Sequence, residues 1–296
     1  MTDVPIALWA MNLGFAPRSA ADFAAHVEAR LRQVKEEGAE LLVLPEYAIE
    51  ACLAFKPEGL APTEEMTFLA AVGEDVRALL APLPQKLGIS LLLGSMPVAC
   101  EGGYTNTAVF YAHDGREIRH DKLSLTPGEQ DPESWTLVPG GEVVIFDWQG
   151  VRTAMLICLD VEMPALSVLL AEEKIELLLV PSMTEKLSGY HRVFDCAKAR
   201  AVELMCAVAV CGTIGRSEGT TQMETNVSGA ALFVPCEEPL GFTGVGAKTQ
   251  VFDGRAGDDP VLHARVPVTA IRRLRSGAAE VWPGSWKAGH VRVREA

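Results

Sequence analysis

The sequence predicts an α/β chain whose sheets carry helices on their outer faces. Three observations predict it. Short apolar runs of strand length alternate with segments of helical periodicity. Two hairpin signals interrupt that alternation, so a purely doubly wound parallel sheet does not fit. The apolar share of 49%, with 22% charged residues, is that of a globular chain. A chain of 296 residues can bury roughly three quarters of its extended surface, enough for a sizeable core without covalent staples.

The elements follow in order. Residues 5–10 form a short apolar strand. Ser19 caps a helix with Phe23, Val27, Leu31 and Val34 on one face, and Gly38 follows its last turn. Residues 41–44 are a continuous apolar strand of the kind buried on both faces. Thr63 is the expected cap of a second helix, with Phe68, Leu69, Val72, Val76, Leu79 and Leu80 on its apolar face. Residues 89–93 are a further strand. Residues 107–112 and 116–119 flank His113-Asp114-Gly115, a hairpin signal; a second hairpin joins 143–147 to 151–157 through Trp148-Gln149-Gly150. Pro164 suits the first turn of a helix running to about residue 173. Residues 175–180, 206–211 and 229–235 read as strands, and 190–204 as a helix. One domain is expected to about residue 275, followed by a tail, 276–296, rich in Gly, Trp and Arg.

Composition excludes several functions. The net charge is −13, from 26 basic and 39 acidic residues, and no basic cluster exceeds Arg272-Arg273-Leu274-Arg275. No nucleic-acid partner is expected, and polyanionic substrates are disfavoured. No apolar run approaches the ~20 residues of a membrane span, so no membrane association is expected. The start, Met1-Thr2-Asp3-Val4, lacks a basic n-region, and a cytoplasmic location is expected. The seven cysteines are scattered and odd in number, which reads as reduced thiols. Without CxxC or HxH spacing, no metal site is expected.

Three polar residues end apolar strands, where α/β folds collect chemistry. Glu46 follows Leu41-Leu42-Val43-Leu44-Pro45; a carboxylate there loses solvation and becomes a better proton acceptor near neutral pH. Lys122 stands in Arg119-His120-Asp121-Lys122-Leu123. Cys158 ends Ala154-Met155-Leu156-Ile157, just before the helix opened by Pro164. Singly, each has an ordinary reading: a loop carboxylate, a solvated edge lysine, a buried thiol. Together they form a self-sufficient set for acyl transfer. A thiol needs a base or a cation to become a nucleophile, and Glu46 and Lys122 supply one of each.

These residues and their contexts resemble the nitrilase, or carbon–nitrogen hydrolase, superfamily, on its amidase and carbamoylase side. Leu44-Pro45-Glu46 is similar to the family's glutamate motif, and Asp121-Lys122 to its lysine motif. Leu156-Ile157-Cys158-Leu159-Asp160, with Pro164 beyond, is similar to its cysteine motif. Val138-Pro139-Gly140, Ala199-Arg200-Ala201-Val202-Glu203 and residues 229–235 match further segments in the right order. The resemblance covers roughly residues 4–270. There are departures: Glu162-Met163 stands where the family often has Arg-Phe, and Leu204 where many members have Asn. True nitrilases commonly show Trp-Glu after the cysteine, where this chain has Leu159-Asp160.

The resemblance implies a four-layer α-β-β-α sandwich and a homodimer or larger homo-oligomer, with the tail at a subunit interface or on its own domain. It implies that Glu46 is the base, Cys158 the nucleophile and Lys122 the oxyanion donor, joined by the Leu159 N–H. It also implies a second glutamate at Glu129, with Asp131 and Glu133 as neighbouring alternatives, that orients Lys122. No cofactor is implied. The expected reaction is hydrolysis of a small amide through a thioester. A nitrilase, an N-carbamoyl amidohydrolase, an acyltransferase and a non-catalytic scaffold are the alternatives. Tyr47, Ser182, Met183, Thr184, Tyr190 and His191 are the expected pocket residues.

Overall fold

The computed structural model describes residues 3–295; Met1 and Thr2, part of the start read above for a leader, lie outside the described residues. Twelve strands are arranged in two sheets among these residues. In chain order the first sheet is built from β1 (Val4–Trp9), β2 (Leu41–Val43), β3 (Ser90–Cys100), β4 (Gly103–Tyr111) and β5 (Glu117–Asp121). The second takes β6 (Ile145–Trp148), β7 (Val151–Met155), β8 (Leu177–Ser182), β9 (Ala207–Gly212), β10 (Ala230–Phe233) and β11 (Val245–Lys248); β12 (Val261–Val266) returns to the first. The orders are β12-β1-β2-β3-β4-β5 and β11-β10-β9-β8-β7-β6. Each sheet has three parallel strands, β1-β2-β3 and β7-β8-β9, flanked by antiparallel neighbours. The intruding hairpins supply β4 and β5 on one edge of the first sheet and β6 on one edge of the second; β12 and β10-β11 form the other antiparallel edges.

Alternation along the strands sets the layers. On β1, Ile6 and Leu8 join β7–β10 residues in one core between the sheets, while Ala7 and Trp9 face helices α1 (Ala20–Glu36) and α2 (Glu65–Leu80) in a second core. Residues 41–44 divide the same way, Leu41 and Val43 inward, Leu42 and Leu44 outward. After the short α3 (Leu83–Leu87), helices α4 (Pro164–Glu173) and α5 (Leu187–Glu203) pack on the second sheet through Leu170, Val193, Phe194, Ala197 and Ala201. The result is the expected α-β-β-α order of layers.

Ser19 caps α1 as its sequence predicts, its side chain accepting the Asp22 N–H at 3.1 Å. Thr63 does not cap α2. It lies inside the 3₁₀ turn Pro62–Glu64, where Glu64 Oε2 accepts the Ala61 N–H, and the helix starts at Glu65. Leu79, placed on the apolar face by the pattern, is exposed. After α6 (Val268–Arg273), the chain lies along α4 and α5 of its own fold. Arg275 donates to Leu204 O and Met205 O, and Lys287 pairs with Glu172. No helix among the described residues is long and apolar enough to cross a membrane.

Candidate active site

Glu46 follows β2 at the carboxyl end of the parallel strands. Its path is set by the neighbouring strand: Leu44 N donates to Leu92 O and Tyr47 N to Ser95 O. Gly94 makes this possible. Its φ is +72°, at an irregularity in the β3–β4 register, and a Cβ there would stand 1.9 Å from Pro45 O. Tyr47 then adopts φ 51° and opens the 3₁₀ helix Ala48–Phe55.

Lys122 leaves the end of β5. Its N–H donates to Asn106 O at 2.8 Å and its carbonyl accepts from Gly140 N at 2.8 Å. A Cβ on Gly140 would stand 2.7 Å from Asp121, so the Pro139-Gly140 segment can lie against the lysine only with glycine there. The ammonium reaches Glu46 Oε1 at 2.7 Å and Glu129 Oε1 and Oε2 at 2.9 and 2.8 Å. Asn106 Nδ2 donates to Glu46 Oε1 and Glu129 Oε1, at 2.9 and 3.1 Å. Glu129 is fixed further by the Tyr47 hydroxyl, the Thr126 N–H and the Thr126 hydroxyl.

Cys158 sits where β7 gives way to the 3₁₀ helix Cys158–Glu162, at φ 47°. A left-handed non-glycine residue is strained, and such strain gathers at functional turns. Its Sγ donates to Met183 O at 3.4 Å, and the Glu46 carboxyl and the thiol each bear on the other's protonation. The Leu159 N–H lies in the first turn of that helix, where backbone donors lack intrahelical acceptors. Asp160 ties this turn to the lysine segment: its carboxylate accepts Ser124 N at 2.7 Å, Leu123 N at 3.2 Å and Ile157 N at 3.1 Å.

Glu46, Lys122, Glu129 and Cys158 are each no more than 6% exposed. Burial pushes the Glu46 carboxyl up to about 6; Lys122 opposes that and the Glu129 charge adds to it. Burial acts on Lys122 toward the neutral form, but Glu46 and Glu129 outweigh it and hold the ammonium above its ordinary range. Glu129 is also pushed up by burial, yet Lys122 and the donors from Thr126 and Tyr47 carry it below the usual carboxylate range. Burial, then the Glu46 charge, raises the Cys158 thiol well above its ordinary value. Near neutral pH the site therefore holds a neutral thiol beside an ionised base. Two carboxylates shifted in opposite directions thus flank one lysine, an arrangement suited to one accepting a proton and the other anchoring the lysine.

These groups line a cavity of about 250 Å³ with Tyr47, Thr126, Gly128, Trp135, Met183, Glu185, Gln222 and Met223. Of the expected pocket residues, Tyr47 and Met183 belong to its wall. Four are displaced, a correction with local causes. Ser182 is buried at the end of β8 with its hydroxyl on Val180 O and Cys211 O. Thr184 uses its hydroxyl on Val227 O. Tyr190 lies inside α5, which starts at Leu187, so its ring packs on Phe194 at 4.2 Å in the core. His191 is on the same helix beside Asp195. Leu159, expected at the site through its N–H, is not among the residues lining the cavity; it follows Cys158 in the 3₁₀ helix. Asn106, Trp135, Glu185, Gln222 and Met223 were not anticipated. Asn106 carried a signal, a polar residue at the start of an apolar strand; the others come from loops without periodicity. Among the described residues no group of three His, Cys, Asp or Glu is placed to hold a metal.

A family profile described as carbon-nitrogen hydrolase matches residues 6–234. The probable hydrolase YhcX of Bacillus subtilis is 28% identical over 228 residues, 77% of this chain and 44% of that protein. The omega-amidase NIT2-B of Xenopus laevis is 26% identical over 185 residues, 60% of this chain and 64% of that protein. The match thus spans less than two thirds of either relative. A crystal structure of an amidase from Nesterenkonia sp. superposes with a TM-score of 0.68 at 22% identity, covering 94% of this chain and 95% of that one. That likeness is one of fold.

Proposed function

The chain belongs to the carbon-nitrogen hydrolase family of the nitrilase superfamily, and from that premise we propose that it is a cysteine-dependent amidase acting on a small amide. The observation that carries this reading is the Lys122 ammonium, gripped by Glu46 and Glu129 beside the Cys158 thiol in one cavity. The amidase names of relatives and of the structural neighbour support it.

Glu46 takes the Cys158 proton as Sγ attacks the amide carbon. Lys122 meets one oxygen of Glu46 and both oxygens of Glu129; turning one of its three donors from the second Glu129 oxygen to the tetrahedral oxyanion keeps both glutamates bound, and the Leu159 N–H is the second oxyanion donor. Glu46 returns its proton to the departing nitrogen, and ammonia or an amine leaves. Glu46 then takes a proton from water as it attacks the thioester, and hands that proton to the thiolate as the acid departs. Glu129 keeps Lys122 charged and aimed throughout.

Ammonia release from an amide and from the nitrile of the same acyl chain tests the reaction class. A nitrile must be bent from linear to trigonal and its nitrogen protonated repeatedly before ammonia leaves, whereas an amide begins trigonal and needs one proton. The amide is expected to have the higher kcat/KM. A nitrile preference of about tenfold, ~1.4 kcal/mol of transition-state free energy, would contradict the amidase reading.

A further inference from the structure

The charges of the cavity narrow the substrate. Among the described residues its only basic side chain is Lys122, already bound by two carboxylates. Its acidic side chains are Glu46, Glu129 and Glu185. With all four ionised the wall carries a formal excess of two negative charges. Glu185 differs from the other two. Its carboxylate has no hydrogen bond among the described residues, and its one ion-pair neighbour, Lys186, is 4.0 Å away with a side chain 75% exposed.

The backbone that presents Glu185 is nonetheless fixed. Two residues earlier Met183 O receives the Cys158 thiol, and Thr184 is doubly bonded to Val227, through its hydroxyl to Val227 O and through its carbonyl from Val227 N. The same cavity has aromatic lining residues, Tyr47 and Trp135, whose ring centroids are 5.1 Å apart. The Trp135 ring is itself held by its N–H on the buried Glu65 carboxylate at 3.1 Å. A free carboxylate together with aromatic faces forms an environment for a cation, through charge pairing and attraction to the ring. A substrate carboxylate would find no free cation to meet it.

Resting on the amidase reading, we propose that the substrate is a short-chain amide bearing a protonated amine, and that Glu185 is the residue that selects it. The cavity is smaller than a drug-sized site, which limits the acyl chain to a few carbons. The amide carbonyl lies at Cys158 and the ammonium toward Glu185.

The test uses three amides of matched length: 3-aminopropanamide, butanamide and the monoamide of succinic acid, with kcat/KM read by ammonia release. The expected order is cation, neutral, anion, with about tenfold between the first two, the size one partly screened ion pair supplies. In Glu185→Gln the cation-to-neutral ratio is expected to fall toward one, mainly through KM, and in Glu185→Lys the anion should overtake the cation. Glu185 is exposed, so both variants should fold. Equal rates on the three amides, preference for the anion, or a ratio unchanged in Glu185→Gln would each overturn the proposal while leaving the amidase reading in place. No turnover of any of the three would overturn both.

Discussion

Lys122 Nζ stands 2.7 Å from Glu46 Oε1, and each side chain is 2% exposed. Neither charge could be left there alone. Lys122→Met should strand Glu46 and Glu129 as buried neighbouring carboxylates and cost about 3–5 kcal/mol, the usual penalty for breaking a buried pair from one side. Denaturant unfolding would measure it. Adding Glu46→Gln to Lys122→Met should recover part of the loss, because one stranded charge is removed. A Lys122→Met variant as stable as the parent would mean the pair is not buried as described.

Cys158 should be the one thiol that turnover requires. Cys52, Cys206 and Cys211 are also buried, and burial raises Cys52 and Cys206 to about 12, for Cys206 against the opposing charge of Arg275; no carboxylate contributes to either shift. Cys158→Ala is expected to fold and to lose at least ~10³ of kcat/KM. Cys206→Ala should keep most activity. Steady-state rates with circular dichroism as the folding control decide between them.

The pH dependence has a definite sign. In the proposed mechanism Glu46 takes the thiol proton and must be ionised to do so, so kcat/KM should rise with pH through about 6, the value to which burial pushes its carboxyl. Stability should run the other way. The folded chain holds this proton more tightly than the unfolded chain, whose carboxyl titrates near 4.5. The stability this group contributes is fully present below 4.5 and is lost as pH rises through about 6, a difference of about 2 kcal/mol. Glu46→Gln should remove that fall. An acid limb near 4.5 instead would show an exposed base.

Gly94→Ala should damage the site without touching it. The added Cβ meets the Pro45 carbonyl, and alanine resists φ +72°. The strain is relieved only by moving the segment that carries Glu46. Both Tm and kcat should fall, and since a 1 Å misplacement can cost ~10², kcat should suffer out of proportion to stability.

Asp160→Asn should uncouple two segments. The carboxylate serves N–H groups on the lysine side, Leu123 and Ser124, and on the cysteine side, Ile157. An amide turns one acceptor into a donor and leaves at least one N–H unpaired. As a positioning residue, Asp160 should affect kcat more than KM. A variant that loses stability but keeps kcat would show a purely structural role.

Much of this was written in local sequence. Helix α1 was legible because Ser19 and the spacing from Phe23 to Val34 state a start and a face. Glu46, Lys122 and Cys158 were legible because each is polar where an apolar strand stops. The motif context of Glu129 pointed to the residue that grips the lysine. Strands β11 and β12 escaped because they are short, half-exposed edges; β12 pairs with β1 across most of the chain, which no local pattern reports. Tyr190 was misread because helix α5 begins three residues before it and turns its ring inward. Trp135, Glu185, Gln222 and Met223 meet only through tertiary structure. Trp135 and Thr221, for instance, share the buried Glu65 carboxylate, and Ser134 donates to Gln222.

Trapping the covalent intermediate tests the cysteine mechanism most directly. The protein would be acid-quenched during incubation with 3-aminopropanamide or butanamide, digested, and read by mass spectrometry. The expected result is an acyl group on the peptide containing Cys158, present in the parent and accumulating if thioester hydrolysis is slower than its formation. It should be absent in Cys158→Ala. An acyl group on another residue, or undiminished ammonia release by Cys158→Ala, would contradict it.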